Sequence, residues 1–303
     1  MVGSDPPSPL AHCPAEAEQR LGSTIDGKYR LRSLIGVGGM GLVYEAEHLF
    51  LGREVAVKML HPRYADTHEW SSRFLREARA AGALTHRAVV QVVDAGFVDG
   101  TTPYLVMERL RGENLDERIR RRGGLRAEQV VVVMREVLRG LVAAHAKGIV
   151  HCDLKPANVF VVDRAIEAGR VKILDFGISK TGHDALQASA GDQVLGTPQY
   201  MAPEQVQGLE VTAQTDLHGL GLVAYEALTG TVPFRGRDKA ELFRAIVSGA
   251  RPAWQGRRGP VPEALRGLVD RLLARTAAER PASAAEVLTE LERLGLVPRS
   301  EAG

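Results

Sequence analysis

From Tyr29 to Leu60, apolar and polar positions alternate in short runs broken by glycines. A period of two of this kind predicts strands over Arg30–Val37, Leu42–Glu47 and Glu54–Leu60. Two more strands are predicted near Val92–Val98 and Tyr104–Glu108. Between these groups the period changes. Over Glu69–Leu84, Phe74, Ala78 and Ala81, with Leu75 or Leu84, recur at spacings of three and four, which predicts a helix. After Gly112 helical texture dominates, and Leu125–Ala146 is the longest such segment. Its run Val130–Val133 favours a strand locally, because β-branched side chains are stiff in helices. Val130, Val133, Val137, Leu141 and Ala144 nevertheless share one helical face, so a helix is predicted. Further helices are expected near Ala213–Thr229, Lys239–Ser248, Pro262–Arg275 and Ser283–Leu294.

The pattern therefore divides into a small strand-rich lobe and a larger helical lobe that meet near Arg109–Gly112, with no internal repeat. The expected organisation is a flexible Pro-rich head (1–25), an N-terminal lobe (26–110), a C-terminal lobe (111–297) and a short tail (298–303).

Composition changes this picture little. The chain has 303 residues, 45% of them hydrophobic and 25% charged, which suits one large two-lobed unit or two ordinary domains with sizeable cores. A formal net charge of +2 gives no argument for nucleic acid or a membrane surface as partner. No uninterrupted apolar run reaches the roughly 18 residues a membrane span needs. The head carries Asp5, Pro6, Pro7 and Pro9, with neither a basic nor an apolar region of a secretory signal. The two cysteines, Cys13 and Cys152, do not suggest a structural disulfide, and a reducing, cytoplasmic compartment fits. Arginine supplies 32 of the 39 basic residues, as a GC-rich coding bias would, so each of the 7 lysines merits inspection.

Five segments carry candidate chemistry. Gly36-Val37-Gly38-Gly39-Met40-Gly41-Leu42-Val43 lies between two predicted strands, and its glycines would let the backbone lie close over phosphates. A G-x-G-x-x-G pattern also marks dinucleotide folds, but those need a helix after the third glycine, and Leu42–Ala46 is strand-like. Val55-Ala56-Val57-Lys58 is an apolar strand ending in a lysine. Taken alone, that lysine reads as an ordinary strand-end residue; among apolar neighbours it needs a counter-charge, and Glu77 on the following helix is the candidate. His151-Cys152-Asp153-Leu154-Lys155-Pro156-Ala157-Asn158 places a carboxylate, a cation and an amide in a loop that Pro156 keeps from being helical. Asp175-Phe176-Gly177 sets a carboxylate at a strand end beside a glycine, an arrangement suited to Mg²⁺. The fifth segment is Gly196-Thr197-Pro198-Gln199-Tyr200-Met201-Ala202-Pro203-Glu204.

Together, in this order and at these spacings, the five segments resemble the eukaryotic-like serine/threonine protein kinases, most closely the bacterial subgroup, over about Lys28–Leu296. The resemblance implies an α+β, two-lobed kinase fold with a small antiparallel-sheet lobe carrying one main helix and a larger, mainly helical lobe. It implies transfer of the γ-phosphate of Mg·ATP to Ser or Thr hydroxyls of proteins, autophosphorylation included, with Mn²⁺ as an alternative metal. By position, Gly36 to Gly41, including Val37, Gly39 and Met40, would form the flap over the phosphates. Lys58 would pair with the α- and β-phosphates and with Glu77. Asp153 would take the acceptor's proton, Lys155 would neutralise charge on the transferring group, and Asn158 and Asp175 would hold the metal. Met107 falls at the gatekeeper position, and Glu108-Arg109-Leu110 at the hinge that hydrogen-bonds adenine. Leu34, Val43, Ala56 and Phe160 would sandwich the purine. Lys155, two residues after Asp153, and Gly196-Thr197 match the Ser/Thr-directed branch of the family. Glu204 would pair with Arg280, and Asp216 would brace the catalytic loop.

The chain departs from the family at Cys152, where Arg is usual before the catalytic Asp. That Arg grips a phosphate on the activation segment, which a thiol cannot do. Activity without dependence on that phosphate is the expectation, and Ser189 is the best autophosphorylation candidate among Ser179, Thr181 and Ser189. A packed side chain is favoured over a redox switch for Cys152. The basic run Arg118, Arg120, Arg121 and Arg122 reads as a solvated helix face. Competing readings are a nucleotide-binding scaffold without turnover, which the presence of Lys58, Asp153, Asn158 and Asp175 disfavours, and a small-molecule phosphotransferase, which the Gly196–Glu204 segment disfavours.

Overall fold

A computed structural model describes residues 15–38, 41–61, 64, 68–176, 198–250 and 253–295. Two compact units divide them. One takes the chain up to Gly82 together with Gln91–Leu110; the other takes Ala83–Val90 and the chain from Arg111 onward.

The first unit is built on six antiparallel strands in the order β1-β2-β3-β4-β6-β5. They are β1 (Thr24–Ile25), β2 (Tyr29–Val37), β3 (Gly41–His48), β4 (Arg53–Leu60), β5 (Val92–Val98) and β6 (Thr102–Glu108). The alternation along the chain explains the two faces of this sheet. Val55, Val57 and Met59 of β4 join Tyr104 and Val106 of β6 in one core, with Leu42 and Tyr44 of β3. Leu60 and Leu105 serve the other face, where they pack with Phe74 and Ala78 of helix α2 (His68–Gly82).

The head corrects an expectation. Residues 15–25 are not featureless: Ala15–Gln19 form helix α1, and β1 pairs with β2. Ala17 is fully buried, and its carbonyl accepts a bond from the Tyr44 hydroxyl at 3.1 Å.

The second unit is mainly helical. Its helices are α3 (Leu115–Arg122), α4 (Ala127–His145), α5 (Pro203–Val206), α6 (Ala213–Thr229), α7 (Lys239–Ser248), α8 (Glu263–Leu272) and α9 (Ala284–Arg293). Val130–Val133 sit in α4, and all four are buried. Burial of this turn in the core overrides the local strand preference. Helix α6 is buried from Thr215 to Thr229, with α4 and α8 packed on it, and α9 packs on α4. Helix α3 starts on a reciprocal cap. Glu117 N–H donates to the Asn114 side chain at 2.8 Å, and Asn114 N–H donates to the Glu117 carboxylate at 3.2 Å. It ends at Gly123 in the left-handed region (φ 69°).

Three short strands, β7 (Gly112–Asn114), β8 (Val159–Val162) and β9 (Val171–Ile173), form a second antiparallel sheet. Ala83–Val90 is tied to it by main-chain bonds from Val90 N–H to Ile173 O (3.0 Å) and from Ile173 N–H to Ala88 O (2.8 Å). That segment is a departure from an uninterrupted lobe over 26–110. Arg118 is a second correction: it is 3% exposed and bonded to Glu113 at 3.0 Å, so it is not part of a solvated face. Among the described residues no helix is long and apolar enough to cross a membrane.

Candidate active site

Each unit carries its own group of candidate side chains. In the first, the glycine-rich turn joins β2 to β3, with Gly36 opposite Val43 and Val37 opposite Leu42. Gly38 N–H donates to Gly41 O at 2.8 Å, which closes the turn. Gly41 is required sterically, because a Cβ there would lie 2.3 Å from the Met59 carbonyl oxygen on β4. Gly39 and Met40 lie outside the described residues.

The β3–β4–β6 register sets Lys58 between Val43 and Leu105, and Ala56 beside Met107. Lys58 Nζ donates to Glu77 Oε1 at 2.8 Å, and both side chains are buried. A buried pair of this kind persists only because each charge answers the other. At the end of β6, Glu108 N–H donates to Gln91 O at 2.9 Å, and the Glu108 carboxylate accepts the Gln91 N–H at 2.8 Å. The Arg109 guanidinium is held by Glu45 and by the Leu110 carbonyl.

In the second unit the loop after α4 is drawn round the Asp153 carboxylate. Lys155 Nζ lies 2.9 Å from Asp153 Oδ2. Asn158, fixed by the tight turn Pro156–Asn158, donates its amide to the Asp153 carbonyl at 2.9 Å. His151 is fully buried; its Nε2 bonds Leu174 O at 2.9 Å and its Nδ1 accepts Asp153 N–H at 3.2 Å. That pattern suits the Nε2–H tautomer and ties His151 into the loop as a support. Beneath the loop, buried Asp216 accepts the N–H groups of His151 and Cys152, both at 2.8 Å, and His145 Nε2 lies 2.8 Å from the same carboxylate. These bonds hold Cys152 in the left-handed region (φ 62°), an unusual place for a residue with a Cβ. Its thiol is packed, 3.7 Å from Val150 O. Asp175, at the exit of β9, also has a left-handed backbone (φ 47°).

Asn158 and Asp175 offer an amide oxygen and a carboxylate, the hard donors Mg²⁺ prefers. The Asn158 amide N–H₂ is committed to Asp153, which leaves the oxygen end for a cation. Among the described residues no cluster of three His, Cys, Asp or Glu side chains forms a closed metal cage. The donors fit a cation that shares its ligands with phosphates and water.

Farther from this loop, Arg280 grips Glu204 with two bonds of 2.7 and 2.9 Å, and Thr215 adds a third at 2.8 Å. Burial pushes the Glu204 carboxyl up, but the Arg280 guanidinium more than offsets this and holds it below its ordinary value. The reverse holds at Glu226. Burial pushes that carboxyl up, and the Tyr200 hydroxyl, donating at 2.7 Å, only partly offsets the effect.

Protein sequence comparison decides the family. The family model described as protein kinase domain matches residues 29–291. The chain belongs to the protein kinase domain family. This kinase domain is 36% identical over 283 residues to the serine/threonine-protein kinase pkn3 of Myxococcus xanthus, covering 91% of the chain and 52% of that protein. It is 42% identical over 221 residues to the serine/threonine-protein kinase PknA of Mycobacterium tuberculosis, covering 72% and 50%. A third relative, Pkn1 of Myxococcus xanthus, is 39% identical over 279 residues, covering 91% and 40%. The chain thus spans about half the length, or less, of these curated relatives. The α+β kinase fold implied by the motifs is the fold found.

Two supports of the kinase domain's loop had no signal in the motifs. Gln205 donates to the Cys152 carbonyl at 2.8 Å, and His145 meets Asp216 across 71 positions. Only the fold brings them there. The predicted positions Gly177, Ser179, Thr181, Ser189, Gly196 and Thr197 lie outside the described residues.

Proposed function

We propose that this kinase domain transfers the γ-phosphate of ATP to Ser or Thr hydroxyls of protein substrates, itself included. The observation that carries the proposal is the Asp153 carboxylate, fixed by Lys155 and Asn158 and held from below by Asp216. Asp153 is the one acid in this loop, half-buried and rigidly placed, so it suits the task of orienting an acceptor hydroxyl and receiving its proton. Lys155, beside it, would meet charge building on the transferring phosphoryl oxygens. Lys58, positioned by Glu77, and the backbone N–H groups of the Gly36–Gly41 turn would hold the nucleotide phosphates. Met107 and the Glu108–Leu110 main chain would bound the adenine. Asn158 and Asp175 would hold Mg²⁺, which when bound supplies charge neutralisation to the phosphates. Lys155 at two residues past Asp153 supports Ser/Thr as acceptor. Residues 26–110 and 111–297 are the two functional lobes in this reading, and ATP as substrate suits the cytoplasm.

The test is phosphate transfer from γ-labelled ATP to a generic protein acceptor in the presence of Mg²⁺. The wild-type chain labels Ser and Thr; Asp153→Asn and Lys58→Met do not. Equal labelling by Asp153→Asn, or label confined to Tyr, overturns the proposal.

A further inference from the structure

A cavity of about 540 Å³ in the second unit lies apart from the loop that carries Asp153. Five arginines line it, Arg118, Arg122, Arg126, Arg164 and Arg258, against a single acid, Glu167. They converge from separate parts of the fold: the body and last turn of α3, the N-cap of α4, the turn after β8, and the segment between α7 and α8. Glu167 is engaged by Gln129 at 2.7 Å. Among the described residues no carboxylate pairs with Arg122, Arg126, Arg164 or Arg258; Arg258 instead donates to the Arg122 carbonyl.

The second observation is Arg118. It is 3% exposed, and its Nη1 is spent on Glu113 and on the Arg164 carbonyl, both at 3.0 Å. Its Nε, also buried, has no hydrogen-bond partner. Leaving such a donor unmade is costly, more so on a charged group. Burial holds the Arg118 guanidinium below its ordinary value; Glu113 and Glu167 counter this, while Arg122 and Arg121 push the same way as burial.

We propose that this cavity binds a small ligand carrying two or more neighbouring phosphate groups. Guanidinium forks match phosphate oxygens with paired, charge-assisted bonds, and five of them exceed what a single phosphate engages. The volume falls in the range of small-ligand sites, roughly 300–1,000 Å³, and the buried Arg118 gives the cavity a charged floor. A small polyanion fits these features better than a flat macromolecular contact. The inference stands independently of phosphotransfer.

Tripolyphosphate is the probe. It is titrated calorimetrically into the full chain with the nucleotide site saturated by a non-phosphorylated ATP-competitive inhibitor. The wild type binds one tripolyphosphate, more weakly as salt rises. Arg122→Ala/Arg258→Ala and, separately, Arg126→Gln/Arg164→Gln weaken binding at least tenfold, while the distant pair Arg244→Ala/Arg293→Ala stays within twofold. These side chains are exposed, so folding is retained, and either cavity pair alone suffices as the test. No binding by the wild type, equal affinity in all variants, or binding of a phosphoserine peptide where tripolyphosphate does not bind overturns the proposal.

Discussion

Replacing Arg280 by Met exposes how much of the helical unit rests on one buried charge pair. Arg280 has a side chain with no solvent exposure, and Glu204 is 7% exposed. Arg280→Met keeps the volume of the stem but removes both bonds to the Glu204 carboxylate and those to the carbonyls of Gln214 (2.9 Å) and Ala274 (3.0 Å). The Thr215 hydroxyl and the Glu204 main-chain N–H still serve that carboxylate. Breaking a buried pair from one side costs about 3–5 kcal/mol. The sign of the pH dependence follows from the carboxyl. In the wild type it sits below 4.5, so the pair's contribution is present above the unfolded value and is lost as pH falls through the lowered folded one. In the variant burial is opposed only by those remaining bonds, the carboxyl moves up, and protonation relieves part of the loss. Urea unfolding of both proteins at pH 7.5 and pH 5 therefore shows a deficit of about 3–5 kcal/mol that narrows at the lower pH. Glu204→Leu/Arg280→Met, with no charge left, is more stable than Arg280→Met alone. A deficit below about 1 kcal/mol, or one that does not change with pH, refutes this account.

Gly41→Ala drives a Cβ against the Met59 carbonyl and costs about 1–3 kcal/mol, whereas Gly38→Ala meets only an ordinary 3.5 Å contact; thermal melts separate them. Asp216→Ala strands the His151 and Cys152 N–H groups at about 1–3 kcal/mol each and lowers kcat, read by denaturation and steady-state kinetics. Glu226→Gln keeps the Tyr200 bond and removes a buried carboxylate whose raised value costs the wild type stability as pH climbs past 4.5; the variant melts higher than wild type at pH 8, and the gap closes near pH 4. Phosphatase treatment leaves most of the activity in place, because Cys152 offers no guanidinium to an activation-segment phosphate; near-total loss on treatment counts against that reading.

Local periodicity was enough to find what repeats within one element. It placed α6 and α7 at their observed ends and put Glu77 on the buried side of α2, where it meets Lys58. It failed where partners are remote. Arg118 looks solvated in its basic run because the groups that bury it, Glu113 and the Arg164 carbonyl, belong to β7 and to a turn 46 positions on. Helix α1 is only five residues long, too short to hold by propensity, and exists because Ala17 packs against the sheet. Strands β7 and β8 are short and become sheet only by pairing with each other and with β9. Of the candidate site, residue types and spacing pointed to Asp153, Lys155 and Asn158, but the roles of Gln205 and His145 depend on contacts that no spacing encodes.

The packing of Ala17 bears on where this chain can be cut. The family match begins at residue 29, yet the hydroxyl of Tyr44 reaches back to Ala17, and Ile25 sits in the same apolar cluster as Tyr29 and Leu31. A shortened clone starting at Tyr29 would strip off an edge strand, take the Ala17 carbonyl away from a fully enclosed phenol and open apolar surface to solvent. Homology boundaries and folding boundaries differ here by at least a dozen residues, and the longer one is the safer choice for production of the domain.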